Sequence, residues 1–399
     1  MYLEEKLNTP IEENFDVAVC GGGIAGIAAA LAAARNGAKT VLFEKGYMLG
    51  GLGTAGIVTI YLPICDGLGK QVSYGIAEEL LRLSIKHGCE DKYPDNWLEN
   101  KGTRTQKDKR FEAQYNPQMF AILAEELLLK EGVEILYGTY AVDAVVEEQK
   151  IKHIITENKS GRQAFSVKSV VDATGDCDIA HFANAPTDTF KQGNILAAWY
   201  YSIGKDGYKL NPLGFADIPD EEKTKESRVE KLVNRRFSGL DGKELSEQMC
   251  LSHKATYKDI LKNKEKDEDF VPVTMATIPQ IRMTRKIVGE YILSETEEHK
   301  YFSDSIGMVS NWKKRGPVWE VPFGTLYSKK IKNLLCAGRC TSVTETLWDV
   351  MRVIPCCAVT GEAAGTAAAL SQDMTTLDIA YLQSVLQKNG VVLHESDIV

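Results

Sequence analysis

The sequence predicts an α/β fold in which a parallel sheet, extended by an antiparallel meander, is interrupted by an inserted domain. Three observations carry this. An apolar run at 15–20 breaks into glycines and then into an alanine-rich stretch at 27–34, the pattern of a buried strand feeding a strong helix. A second such pair, the apolar run at 334–336 and the alanine-rich stretch at 355–370, lies far along the chain. Between them, residues 190–318 change character, with charge-rich and aromatic segments. The expected division is therefore a discontinuous domain of residues 12–189 and 319–399 and an inserted domain of residues 190–318.

Gly21, Gly23 and Gly26 make G-x-G-x-x-G at the first strand-to-helix junction. Gly21 permits the tight turn, Gly23 lets backbone N–H groups approach a pyrophosphate, and Gly26 lets helix and strand pack closely. The helix N-terminus, with Ile24 and Ala25, then offers free N–H groups and its positive dipole end to phosphates. Gly37 ends the helix, and a strand at 39–43 is closed by Glu44, about twenty residues beyond the glycines, where a carboxylate accepts ribose hydroxyls. Phe43 and Lys45 flank this acid. Strand, glycines, helix, strand and acid in that order define a Rossmann-like dinucleotide-binding unit.

Gly51, Gly53 and Gly56 repeat the glycine spacing, but no strand leads in and no alanine-rich helix follows. Gly50, Gly51 and Leu52 instead read as backbone laid against something flat and large. Helical spacing starts at Tyr74 and ends near Gly88; residues 90–110 are polar and read as an exposed excursion. Asn116 as N-cap, Pro117 in the first turn and Gly132 as stop predict a helix over 117–130, followed by a strand at 133–137. Alternation over 141–167 predicts a three-stranded antiparallel meander. A separate strand at 169–172 then runs into Ala173, Thr174, Gly175 and Asp176, a small-residue turn where open α/β sheets bind ligands. In the insert, Trp199, Tyr200 and Tyr201 lie in an apolar run, 221–266 reads as a charged helix, and 271–274 as a strand. The late strand ends in Ala337, Gly338 and Arg339, and Gly361 and Gly365 give the last alanine-rich helix a small-residue face.

Composition excludes some partners. A net charge of −8 argues against nucleic acid or an anionic membrane. No apolar run is long enough to span a bilayer, and residues 1–14 are too acidic for a signal peptide. Nine cysteines, an odd number without a disulfide framework, point to the cytoplasm.

Five separated segments coincide: the first glycines with Glu44; Gly50 to Thr54; Asp172 to Asp176; Arg282 to Arg285; and Ala337 to Arg339 with the helix after it. Together they resemble the FAD-dependent oxidoreductases of the glutathione-reductase-like fold, in the branch grouped with the flavin subunit of heterodisulfide reductase. The resemblance implies that the first glycines hold the FAD pyrophosphate and that Glu44 holds the adenosine ribose. It implies that Gly50 and Gly51 pass the ribityl chain and isoalloxazine, and that Ala173, Thr174 and Gly175 lie near the adenine. Gly338, Arg339 and the helix start at Pro355 and Ala358 would meet the flavin pyrimidine, where helix N–H groups stabilise the charge of reduced flavin. Where this branch often carries a histidine, the chain has Glu345.

For the chemistry, Arg282 and Arg285, three apart on an expected helix, would clamp an anionic substrate group, with Arg352 beside the flavin. Glu345, Asp349 and Tyr61 are the candidate proton carriers, and His181 is expected to be satisfied by its surroundings. Without any C-x-x-C, no metal site is expected. The expected activity is hydride transfer between flavin N5 and a small organic substrate, with an unidentified electron acceptor. NAD in place of FAD, as in thiazole-synthesising enzymes of this fold, remains an alternative, as does a flavin-based tRNA-modification factor or redox sensor.

Overall fold

The computed structural model describes residues 3–87, 112–214 and 232–398. The excursion expected at 90–110 lies outside these residues. The first unit forms as the glycine spacing dictates: β1 (Ile11–Cys20), α1 (Ile24–Arg35) and β2 (Thr40–Glu44). A two-residue strand β3 (Ile60–Tyr61), α2 (Ile76–Ile85) and β4 (Ala113–Gln114) follow. Helix α3 (Pro117–Lys130) starts where Asn116 Oδ1 accepts the N–H groups of Gln118 and Met119, with Pro117 in the first turn.

Next come β5 (Glu134–Tyr137), β6 (Tyr140–Glu147), β7 (Lys150–Asn158) and β8 (Gly161–Asp172). The meander's third strand and the expected separate strand at 169–172 are one twelve-residue strand. β8 can be continuous because it changes partner along one edge: residues 161–166 pair antiparallel with β7, and 170–172 pair parallel with a strand from far downstream.

Helix α4 (Asp178–Phe182) and β9 (Thr187–Thr189) lead into the insert. There β10 (Tyr200–Gly204), β11 (Gly207–Asn211) and β12 (Val271–Met275) form an antiparallel sheet in the order β11-β10-β12, with α5 (Gly242–Lys264) beside it. Helix α5 begins on Asp241, whose side chain accepts the Glu244 N–H; of the charged stretch expected to be helical, only this part of the described residues is. The return path is β13 (Arg285–Ile287), paired with β9, then the hairpin β14 (Ser305–Ser310) and β15 (Val318–Pro322). Phe302, Ile306, Val309 and Trp319 join the main apolar core rather than the cluster around Phe237 or the one around Trp199, which the insert shares with Ile57. The chain closes with β16 (Leu334–Cys336), α6 (Glu345–Met351), α7 (Ile354–Leu370) and α8 (Ile379–Lys388).

The main sheet runs β5-β2-β1-β8-β7-β6, with β16 also beside β8; β5, β2, β1, β8 and β16 are parallel. Helix α1 is buried from Ile24 to Ala33 because the sheet covers one side and α7 the other. That packing needs the small face of α7. A Cβ on Gly361 would lie 2.3 Å from Ala25 O, and one on Gly365 2.0 Å from Ala29 O. Among the described residues, no single helix is long and apolar enough to cross a membrane.

Candidate active site

At the carboxyl end of the sheet, three strand ends are tied together. Ala173 N donates to Cys20 O at 2.9 Å and Ala337 N to Asp172 O at 3.0 Å. Gly21, at φ +102°, passes beneath Ala173, where a Cβ would sit 2.5 Å from the Ala173 oxygen. A Cβ on Gly26 would lie 1.8 Å from Gly21 O, so this glycine is required for α1 to leave the strand at all. Gly23 differs: no protein atom lies within 4 Å of where its Cβ would be. The α1 N-terminus has no side-chain cap and no acid in its first turn, so its amides at Ile24, Ala25 and Gly26 keep their capacity for an anion.

Glu44, at the end of β2, accepts the Gly22 N–H at 2.8 Å and the Gly46 N–H at 2.6 Å. Each carboxylate oxygen keeps a further lone pair for a ribose hydroxyl. The second glycine segment lies against the first. Gly50 N donates to Gly22 O at 2.8 Å, and a Cβ on Gly51 would come within 3.2 Å of Gly23 Cα. Gly50 and Gly51 hold φ of +99° and +54°, and Leu52 follows in a 3-10 turn. Arg285 and Lys45, the latter next to Glu44, are near enough to Asp178 to oppose the rise of its pKa. Burial and the charges of Asp176 and Asp172 push that carboxyl up to about 7.

The late turn arrives at the same place. Gly338, at φ +67°, donates its N–H to Thr360 Oγ1 at 2.9 Å, and a Cβ there would lie 2.8 Å from Ala25 Cβ. The start of α7, with Pro355 in its first turn and Ala358 in its second, also lacks a side-chain cap and an acid. Two unopposed helix N-termini thus flank one crevice of backbone. Arg339 crosses it: Nη1 donates to Ile281 O at 2.7 Å, and Nη2 is 3.6 Å from Asp176 Oδ1, beside Gly175. Thr174 is turned to Asp172, whose Oδ1 accepts both its N–H and its hydroxyl.

The insert supplies the opposite wall. Residues 276–284 are not the helix expected for Arg282 and Arg285. Arg282 lies in an irregular stretch and Arg285 starts β13. The ladder is pre-empted by Asn194, whose Oδ1 takes the N–H groups of both Arg282 and Met283 at 3.0 Å. Gln280 joins this stretch to both sides, accepting Trp199 N–H and donating to Gly56 O. The Arg282 side chain is 4% exposed, with its guanidinium 5.2 Å from the centre of the Trp199 ring. Burial and then the cations of Arg352 and Arg339 pull its pKa down to about 9, opposed by Asp349. Among the described residues, Arg282 Nε and Nη2, Arg285 Nη1 and Arg352 Nε are buried donors without a hydrogen-bond acceptor.

Two of the three expected proton carriers, Asp349 and Tyr61, are tied up. Asp349, fully buried, is ion-paired with both Arg352 and Lys313. Tyr61 donates to Ala77 O at 2.6 Å, and burial drives its hydroxyl well above its ordinary value. Glu345, the first residue of α6, accepts the Lys191 N–H at 3.3 Å. His181 is pulled down by burial and by Arg285. Sequence reasoning missed Lys313, Asn194, Gln280 and the stacking role of Trp199; no local motif marks any of them.

The residues fit a dinucleotide extended by a flavin: a glycine with open space above it, an acid at the second strand's end, two uncapped helix N-termini and a buried cation, Arg282, with donors that meet no acceptor among the described residues. Half of the chain is 26% identical, over 206 residues, to the tRNA uridine 5-carboxymethylaminomethyl modification enzyme MnmG of Clostridium botulinum, covering 28% of that protein. A stretch of 173 residues is 31% identical to glutathione reductase of Yarrowia lipolytica, covering 41% of this chain and 32% of that one. The chain thus spans about a third of the curated relatives it matches. Among solved structures, it is similar to a geranylgeranyl bacteriochlorophyll reductase-like protein of Thermoplasma acidophilum, at 14% identity and a TM-score of 0.45, over 94% of this chain and 82% of the other. The family model for FAD dependent oxidoreductases matches residues 16–198 and 201–386. The chain belongs to that family, and FAD is its cofactor.

Proposed function

We propose that this oxidoreductase moves a hydride between flavin N5 and a small organic substrate bearing an anionic group, held by Arg282, Arg285 and Arg352. The observation that carries the reading is Arg282: a guanidinium nine-tenths buried, its pKa pulled down by that burial and then by two neighbouring cations, with donors that meet no acceptor among the described residues. Burial of an unpaired cation is costly, and an anion of the right shape turns that cost into affinity. FAD supplies the hydride chemistry when bound. The chain's part is to seat the pyrophosphate on Gly21, Gly23, Ile24, Ala25 and Gly26, and the ribose on Glu44 between Phe43 and Lys45. Gly50, Gly51 and Leu52 carry the middle of the cofactor; Ala173, Thr174 and Gly175 meet its adenine side. Gly338, Arg339, Pro355 and Ala358 take the flavin end.

Asp349 keeps Arg352 oriented, and Glu345 is the acid proposed to move the proton. Residues 190–318 cover the substrate side, with one small core of their own around Phe237 and a second, around Trp199, shared with Ile57. The finer placement, in the branch grouped with the flavin subunit of heterodisulfide reductase, is supported by the Ala-Gly-Arg turn. A cytoplasmic location, a separate electron acceptor and the lack of a nucleic-acid or membrane partner are proposed on the −8 charge and the absence of a disulfide framework. The test is a titration of the holoenzyme's flavin spectrum with small carboxylates and with the matching amides. Carboxylates should perturb the wild-type spectrum and not that of Arg282→Met; equal responses to acid and amide would reject the clamp.

A further inference from the structure

We propose that Lys313 is a positioning residue of the anion site: by holding one oxygen of the Asp349 carboxylate, it leaves Arg352 and Arg282 positive charge for the acidic group of a substrate. Lys313 thereby sets the strength of the clamp proposed above, on which this reading rests. Asp349 lies in α6, fully buried, with a cation at each oxygen. Arg352, the C-cap of α6 three residues later, pairs with Oδ1. Lys313, in the turn between β14 and β15, pairs with Oδ2. One carboxylate charge divided between two cations neutralises neither fully. Given to Arg352 alone, it would cancel most of that guanidinium's field. Arg282 feels the same balance: burial, then Arg352 and Arg339, pull its pKa down, and Asp349 holds it up.

The turn is built to deliver this lysine. Asn311 Oδ1 accepts the N–H groups of Lys313 at 2.8 Å and Lys314 at 2.9 Å, and the Asn311 N–H closes the turn on Pro317 O at 3.0 Å. Gly316 N–H ties the tip to Asp66 O at 2.9 Å. Trp312 Nε1 donates to Asp349 O at 3.0 Å, so two consecutive residues of the turn reach one residue of α6, the first at its main chain and the second at its carboxylate. The Lys313 ammonium also lies 5.3 Å from the centre of the Trp312 ring. A surface ion pair contributes little, but here the carboxylate is buried and needs its cations, while the lysine side chain keeps 22% exposure. Arg352 Nε and Arg282 Nη2, buried with no acceptor among the described residues, are the donors left for a ligand.

The experiment titrates the flavin spectrum of the holoenzyme with acetate and benzoate, with acetamide and benzamide as neutral controls. Lys313→Met, which keeps the aliphatic stem and removes the charge, should weaken both acids about tenfold. Lys313→Arg should restore most of that affinity. Should Lys313→Met not fold, Lys313→Gln, whose amide can still donate to Asp349, carries the same comparison. Unchanged acid affinity in the uncharged variant overturns the inference and leaves the clamp standing. Equal weakness of Lys313→Arg overturns it as well, because shape and not charge would then be at work. A wild-type protein that answers acid and amide alike, or neither, removes the clamp and this inference with it.

Discussion

Around the first glycines, side chains are reduced until backbone meets backbone, whereas across the crevice Trp199, Arg282 and Arg352 bury long charged and aromatic groups. The first wall works by amide dipoles and close approach, and its tolerance to change is set by hard contacts. The second works by charge, and its cost is borne in desolvation. Stability and recognition are therefore separable on the two sides, and mutations should fall into different classes.

The largest effect should come from Gly26→Ala. Its Cβ meets a backbone oxygen at 1.8 Å, with no flexible side chain to yield. The expected loss exceeds about 3 kcal/mol, seen as little soluble protein and no cooperative melt. A normal melting curve would show that the turn is looser than described. Asp349→Asn, on the other wall, leaves Arg352 and Lys313 without their shared carboxylate, and should cost about 3 kcal/mol in a urea titration. Arg282→Met sharpens the contrast: the melting temperature should hold or rise, because a buried cation is removed, while binding of a carboxylate ligand weakens by about 100-fold.

Gly23→Ala is the complement to Gly26→Ala. It has space for its methyl group, so the apoprotein should melt within about 0.5 kcal/mol of wild type while retaining little flavin after gel filtration. A pH-dependent effect concerns Glu362 on α7, which accepts the Ile76 N–H at 2.8 Å and whose carboxyl burial pushes up to about 8. Between the usual carboxyl value and pH 8 the folded state holds one more proton than the unfolded chain. Stability from this group is thus present at low pH and lost as pH rises, by about 1.4 kcal/mol per unit. Glu362→Gln should flatten that slope in melts taken from pH 5 to 8; an unchanged slope would assign it elsewhere.

The same contrast explains what could be read in advance. Gly21, Gly23, Gly26, Glu44, Asn116 and Pro117 act within a turn or two of their own position, so spacing alone announced β1, α1, β2 and α3. The Gly338 turn was legible for the same reason. Arg282 was placed on a helix because three-residue spacing fits one, but Asn194, 88 residues away, had already claimed the amides such a helix needs. The unity of β8 was hidden by a change of partner from β7 to β16, which no local pattern records. Lys313 and Asp349 meet only after the chain has returned to its first domain.

The contact of Gly361 and Gly365 with the Ala25 and Ala29 carbonyls has one more consequence. A gap lined by side chains can be widened by a change of rotamer; one set by two main chains in van der Waals register has no such hinge. The spacing between the two helix starts is thereby a fixed gauge. Adaptation to a ligand of different length falls to the stretch at 276–284, which hangs from the Asn194 and Gln280 amides.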